Sequence, residues 1–273
     1  VSTPEQHSGW DCHVHVFDAA AASLPGHYRP TTRSLAEIEA IAAADGVGHL
    51  VLVQPSVYGS DNTLLLAALR ASGGRHRGVA VLAADTTAAE FDTLHAAGVR
   101  GVRLNLMSPV GRLADPAAAL QRLTPQLQRL GWHVQWYAPR STLPMLVPLQ
   151  AASGLVFVLD HLADQTADQT VDQTKDGPAW DALLALAGAG AWVKLSGWYR
   201  LQSAAPYDAM QPQIERVARL FGQRTVWGSD WPHTGHDEAA ALPYASTWAP
   251  VVAVLGAEAA QAVRAEHPLR LYA

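Results

Sequence analysis

The sequence predicts one α/β domain, a closed (β/α)8 barrel of the TIM type spanning residues 1–273. Three observations carry this prediction. Eight short runs rich in β-branched and aromatic residues recur along the chain, and Ala- and Leu-rich segments of helical length separate them. Most of the runs lack polar alternation, as strands covered on both faces do. Strand-then-helix units repeated eight times in about 250 residues are the size of such a barrel. The competing architecture, an open doubly wound sheet, usually carries a glycine-rich phosphate loop after its first strand, and none follows Phe17.

The runs, in order, are Trp10–Phe17, His49–Gln54, Gly78–Leu82, Val99–Leu104, Trp132–Tyr137, Leu155–Leu159, Ala191–Ser196 and Arg224–Ser229. The first helix is read over Ser34–Ala44, because Ser34 with Glu37 three residues on forms a capping-box pattern. Thr63–Ala71 stops at Gly73-Gly74, and Thr87–Ala97 stops at Gly98, a C′ glycine. Pro116–Leu130 ends at Gly131 and Pro178–Ala187 at Gly188. Residues 164–175 hold a three-fold Asp-Gln-Thr repeat between the sixth strand and the next helix. Its polarity reads as a solvated loop; its place on the strand-exit side also suits an active-site lid.

Composition narrows the function. Nineteen Lys and Arg against 24 Asp and Glu give a net charge of −5. That argues against nucleic acid or an anionic membrane as the main partner, since both need a basic face. No stretch offers about 18 uninterrupted apolar residues, so no membrane span is expected. The single Cys12 excludes an internal disulfide and fits a reducing compartment. Residues 1–9 show no apolar signal core, and a cytoplasmic location is expected. A homo-oligomer is left open. Twelve His and nine Trp beside four Phe direct attention to histidine, the commonest route to chemistry near neutral pH.

In a parallel barrel the site forms where strands exit. The first strand supplies His13 and His15, placed on one side by the period of two. The second exits through Ser56, an inward hydroxyl or a plain loop residue, and through Asp61 and Asn62, which suit a helix cap. Arg103 ends a run that should be buried, so its guanidinium must meet a carboxylate of the protein or of a ligand. Tyr137 ends the fifth strand as core or as a site hydroxyl, and His161 follows the sixth. Arg200 follows the seventh, as a surface residue or a second anion contact. Asp230 leaves the eighth beside Trp231 and Pro232, as a helix cap or a working carboxylate. Three imidazoles and one carboxylate can bind a metal, or polarise a carbonyl while the carboxylate activates water.

This ordered set resembles the amidohydrolase superfamily, which carries His-x-His on strand one, a His on strand six and an Asp on strand eight. Within it the chain is similar to the lactonase branch acting on 2-pyrone-4,6-dicarboxylate. The likeness runs through Asp11–Phe17, Gly59–Asn62, Gly98–Arg103, Leu130–Val134, Asp160-His161, Trp227–His233 and Pro268–Tyr272. The resemblance implies that His13, His15 and His161 polarise a lactone carbonyl and that Asp230 activates the attacking water. It implies substrate contacts from Tyr28, Ser56, Arg103, Tyr137 and Arg200. Arg112 stands in for an arginine of the branch, in the longer loop Met107–Arg112 that replaces a Lys-Arg pair. Metal-dependent members usually add a His at the fifth strand's exit. Here that position is Tyr137, and His133 lies at the strand's start, so the resemblance implies no required cofactor.

The leading expectation is therefore a metal-independent hydrolase that opens a carboxylated lactone. Its alternatives are a sugar-acid lactonase or lactone isomerase, and a zinc-dependent hydrolase or decarboxylase whose ligands would be His13, His15, His161 and Asp230. A ligand-binding barrel without catalysis is disfavoured by the intact His/His/His/Asp set.

Overall fold

The computed structural model describes residues 9–25, 29–167, 177–234 and 242–273. Tyr28 and most of the Asp-Gln-Thr repeat lie outside them. Eight parallel strands stand in sequential order: β1 Gly9–Val14, β2 Val47–Val53, β3 Arg77–Ala80, β4 Val99–Asn105, β5 His133–Tyr137, β6 Phe157–Leu159, β7 Trp192–Leu195 and β8 Thr225–Trp227. The helices are α1 Leu35–Ala44, α2 Thr63–Ala71, α3 Ala88–Ala96, α4 Pro116–Leu130, α5 Leu143–Ser153, α6 Gly177–Gly188, α7 Gln211–Phe221, α8 Ala249–Leu255, α9 Ala257–Ala265 and α10 His267–Tyr272. Among the described residues no helix is long and apolar enough to cross a membrane.

The capping chemistry fixes several helix starts. Ser34 Oγ accepts from Glu37 N, and Thr87 closes a full capping box with Glu90. Thr87 is therefore the cap and Ala88 the first helical residue, one position inside the expected boundary. Asp115 accepts from Ala118 N at the head of α4. Before α2, Asp61 Oδ1 accepts from Thr63 N. Asn62 instead donates to Ser60 O and Val81 O, which ties the β2 exit to the end of β3.

Strand parity divides the barrel into two packings. Val102, Leu104, Val134, Trp136, Phe157, Leu159, Val193 and Leu195 face the helices and join them in one apolar layer. The alternate residues fill the interior. Near the strand starts these are apolar: Cys12, Val51, Val79, Val158 and Val226, with Tyr272 among them. Higher up, β4, β5 and β7 place Arg103, Gln135 and Lys194 inside, in register across Arg103–Gln135 pairing. The ring closes between β1 and the chain leaving β8, through a parallel bridge of Val14 with Trp231. His15 N donates to Trp231 O, and Asp230 N donates to His13 O. Asp11 reinforces this seam: its carboxylate accepts from His13 N, Ser229 N and Tyr244 Oη.

Candidate active site

Four side chains converge at the strand exits. Asp230 Oδ1 lies 3.6 Å from His13 Nε2 and 3.4 Å from His15 Nε2, and His161 Nε2 lies 3.9 Å from Asp230 Oδ2. All four residues are buried. The two oxygens of Asp230 have different surroundings. Oδ2 accepts from Tyr199 Oη at 2.7 Å and from Arg200 Nε at 2.6 Å. Oδ1 has no hydrogen-bond partner among the described residues, and neither does His13 Nε2.

The backbone is strained where it presents these groups. His161, Leu162, Ala163 and Asp164 have φ of 48–59°, and Asp230 has φ 61°. Left-handed backbone costs a residue with a Cβ about 1–2 kcal/mol. Such strain persists where surrounding structure over-determines it and clusters at functional sites. Two glycines make room for the imidazoles. A Cβ on Gly228 would stand 2.5 Å from His13 Cβ, and one on Gly197 would stand 2.5 Å from His161 Nδ1.

A second tier of buried charge lies under the cluster. Asp160 Oδ2 accepts from Arg103 Nε at 3.1 Å and Gln135 Nε2 at 3.0 Å. Its Oδ1 is 3.4 Å from His13 Nδ1 and 3.6 Å from Lys194 Nζ. Lys194 donates to Cys12 O and Gln135 Oε1. A strand carbonyl and a hydroxyl set the tautomers of two imidazoles in the cluster. His15 Nδ1 donates to Val53 O, so a neutral His15 presents a lone pair at Nε2. His161 Nδ1 meets Ser196 Oγ at 3.1 Å. When that hydroxyl donates, Nε2 of His161 carries the proton.

Burial pushes His13 well below the ordinary imidazole value, with Lys194 adding to the effect. Burial also brings His161 down to about 4. For Asp230, burial opposes ionisation, but Arg200 leads the positive groups that hold the carboxyl well below the usual range. Asp160 is likewise held ionised against its burial, by His13, Lys194 and Arg103. With His13 neutral, the two full cations do this work.

The order His13, His15, His161, Asp230 around one barrel mouth agrees with the match of the Amidohydrolase family profile to residues 10–273. The chain belongs to the amidohydrolase family. A 2-pyrone-4,6-dicarboxylate hydrolase of Comamonas testosteroni is 31% identical over 289 aligned positions, covering 96% of this chain and 89% of that protein. A 4-sulfomuconolactone hydrolase of Rhizobium radiobacter is 28% identical, covering 86% and 79% respectively. A Pseudomonas putida protein, provisionally named a 2-pyrone-4,6-dicarboxylic acid hydrolase, superimposes with a TM-score of 0.85 at 32% identity over 97% of both chains.

In this amidohydrolase, Ser56, Arg103, Tyr137 and Arg200 line one cleft beside His15, together with Ser108. Arg103 finds a protein carboxylate, Asp160, through Nε, yet still reaches the cleft, its guanidinium 4.5 Å over the Tyr137 ring. Arg112 is exposed and donates to Met107 O; it is not among the cleft-lining residues. Tyr28 lies outside the described residues. Sequence reasoning missed Lys194, Gln135 and Tyr199, and read Asp160 merely as the neighbour of His161. The buried-run argument that singled out Arg103 reaches Gln135 and Lys194 as well: both are polar residues inside strand runs that should be buried.

Ligand atoms of His13, His161 and Asp230 lie within 4.8 Å of one another. Unpaired His13 Nε2 and Asp230 Oδ1 face each other. Nitrogen and carboxylate donors at this spacing fit a divalent ion such as zinc.

Proposed function

We propose that this amidohydrolase opens the ring of a carboxylated lactone by attack of water, without an essential metal. One observation carries the reading. The free oxygen of Asp230 faces the nitrogens of His13 and His15, and His15 lines the cleft that also holds the Arg103 guanidinium.

Hydrolysis needs a nucleophilic water and stabilisation of charge on the carbonyl oxygen. Asp230 Oδ1 takes one proton of the water as its oxygen bonds to the lactone carbon. The Nε2 atom of His15, a lone pair when His15 is neutral, accepts the other hydrogen as a bond and orients the attack. His161, and His13 when Lys194 Nζ donates to its Nδ1, present N–H groups to the growing oxyanion. The ring C–O bond then breaks, and the proton held by Asp230 passes to the leaving oxygen. The newly formed carboxylic acid ionises, so each turnover releases a proton to solution.

A carboxylate held so strongly ionised is a modest base. The larger share of rate enhancement therefore falls on the pre-oriented donors, each worth about 10²–10³ in comparable sites. The Tyr199 and Arg200 bonds to Oδ2 already compensate the Asp230 charge, which supports chemistry without a metal. Were zinc bound, His13, His161 and Asp230, with His15 beside them, would hold it, and it would supply Lewis-acid polarisation and a more acidic water.

The test is a panel of lactones with and without carboxylates, followed by proton release after exhaustive chelation. Carboxylated lactones should be opened and chelation should leave turnover intact. Loss on chelation with recovery on adding Zn²⁺ would overturn the metal-free mechanism. Isomerised lactone without proton release would replace hydrolysis by isomerisation.

A further inference from the structure

The first strand breaks its own alternation. Trp10 and Cys12 belong to the interior cluster with Val51 and Tyr272. Strict alternation would then turn His13 toward the helices and Val14 inward. The reverse holds. Val14 packs in the helix-facing layer, and His13 Nε2 stands 3.6 Å from Asp230 Oδ1. The pairing with β2 locates the change of parity. Asp11 pairs with Leu50 and Val14 with Leu52, so three steps along β1 match two along β2. One extra residue in a strand is a β-bulge, which re-aims side chains and is common beside active sites.

Asp11 stands at the start of that bulge and is fully buried. Its Oδ1 accepts from two backbone amides, His13 N at 3.1 Å and Ser229 N at 2.9 Å. One oxygen thereby ties His13 on β1 to the residue preceding Asp230. Its Oδ2 accepts from Tyr244 Oη at 2.8 Å. The Tyr244 ring is in turn set edge-on to Trp227, with centres 5.7 Å apart. Gly228 lets the two strands meet, since a Cβ there would stand 2.9 Å from His13 N. All three partners of Asp11 are donors, which suits an ionised carboxylate, a group that only accepts. Neither Asp11 nor Tyr244 lines the cleft.

We propose that Asp11 is a positioning residue: it holds the β1 bulge against the β8 exit and so fixes the separation of His13 from Asp230, with Tyr244 orienting its carboxylate. Asp11 acts through the backbone that presents both side chains. A misplacement of about 1 Å at a reacting pair can cost about 100-fold in rate. For turnover this rests on the lactone-hydrolase reading; for geometry it does not.

Three variants of the full-length protein test it. Asp11→Ala removes the acceptor of both amides, Asp11→Asn keeps an oxygen for them, and Tyr244→Phe removes only the bond to Oδ2. Crystal structures should show the His13 Nε2 to Asp230 Oδ1 separation lengthened in Asp11→Ala and close to 3.6 Å in Asp11→Asn. Turnover is read per folded molecule, with the carboxylated lactone that the wild-type protein opens fastest and near-ultraviolet circular dichroism for the folded fraction. The kcat should fall about 100-fold in Asp11→Ala and recover most of that in Asp11→Asn. In Tyr244→Phe it should fall about 2- to 12-fold, the range of one hydrogen bond. KM should change little in all three, because no cleft-lining group is altered. An unchanged separation in Asp11→Ala, equal kcat losses in Asp11→Ala and Asp11→Asn, unchanged kcat in Tyr244→Phe, or a loss carried by KM or the folded fraction alone would each overturn the proposal. Should Asp11→Ala fail to fold, the kcat of Tyr244→Phe decides. A wild-type protein that opens no lactone would discard hydrolysis, and the crystallographic separation would then decide the positioning role.

Discussion

The two ends of the barrel interior both bury a histidine, and they put it to different uses. At the strand starts His133 lies against Gly101, where a Cβ would stand 2.5 Å from its Nε2, and edge-on to Tyr272 with ring centres 5.3 Å apart. Desolvation lowers it to about 3. At the strand exits His13 is equally buried and also held neutral. Yet it stands between Asp160 on one side and Asp230 on the other. Burial makes both imidazoles neutral. What sets His13 apart is carboxylates at close range, whereas both ring nitrogens of His133 are without a hydrogen-bond partner among the described residues.

That contrast can be broken at its functional end first. Asp230→Asn removes the proposed base while keeping shape and most hydrogen bonds. It should lower kcat by about 10²–10⁴, with circular dichroism and ligand binding retained. Near-normal kcat would show that the carboxylate is there for the fold.

The second tier gives the next largest effect. Lys194→Met strips a full cation from Asp160 and leaves Cys12 O and Gln135 Oε1 without their donor. Removing one member of a buried ion pair costs about 3–5 kcal/mol, readable in chemical denaturation. A loss below about 1 kcal/mol would mean that Arg103 and Gln135 satisfy Asp160 unaided.

The quiet end should show itself through pH. His133 at about 3 and His161 at about 4 stay neutral in the fold, whereas in the unfolded chain they protonate near the ordinary imidazole value of about 6.5. In that interval the unfolded chain binds more protons, so stability rises with pH from about 4 to 6.5. Asp11, raised to about 6 by burial, works the opposite way between its ordinary value and 6, over a smaller displacement. The net result should be a denaturation midpoint that falls on acidification through this window. His133→Leu should flatten the slope. An unchanged slope would place the acid sensitivity elsewhere.

The fold was legible because double-sided burial leaves a plain mark: all eight strands fall within a few residues of their apolar runs. The helices that announced themselves carry caps, at Ser34, Thr87 and Asp115, or terminal glycines such as Gly131. The segment Leu143–Ser153 does end at a left-handed Gly154, but it has no side-chain cap at its start, holds Pro148 inside and has no clear polar face. Gln211–Phe221 has no side-chain cap at its start. In the site, His13, His15, His161 and Asp230 stood out by their order at strand exits. Asp160 and Tyr199 did not, because their meaning depends on distances across the barrel. Tyr199 matters through a 2.7 Å bond to a residue 31 positions away.

The seam between the first and last strands has a consequence for how the protein is made. His13 and His15 are synthesised more than 200 residues ahead of Asp230, which they face. The backbone bonds His15 N to Trp231 O and Asp230 N to His13 O are also the bonds that shut the ring. A nascent or partly assembled chain thus holds two histidines with no carboxylate opposite. The reactive cluster comes into being in the same event as the finished cylinder, so catalytic competence in a folding experiment would time ring closure itself.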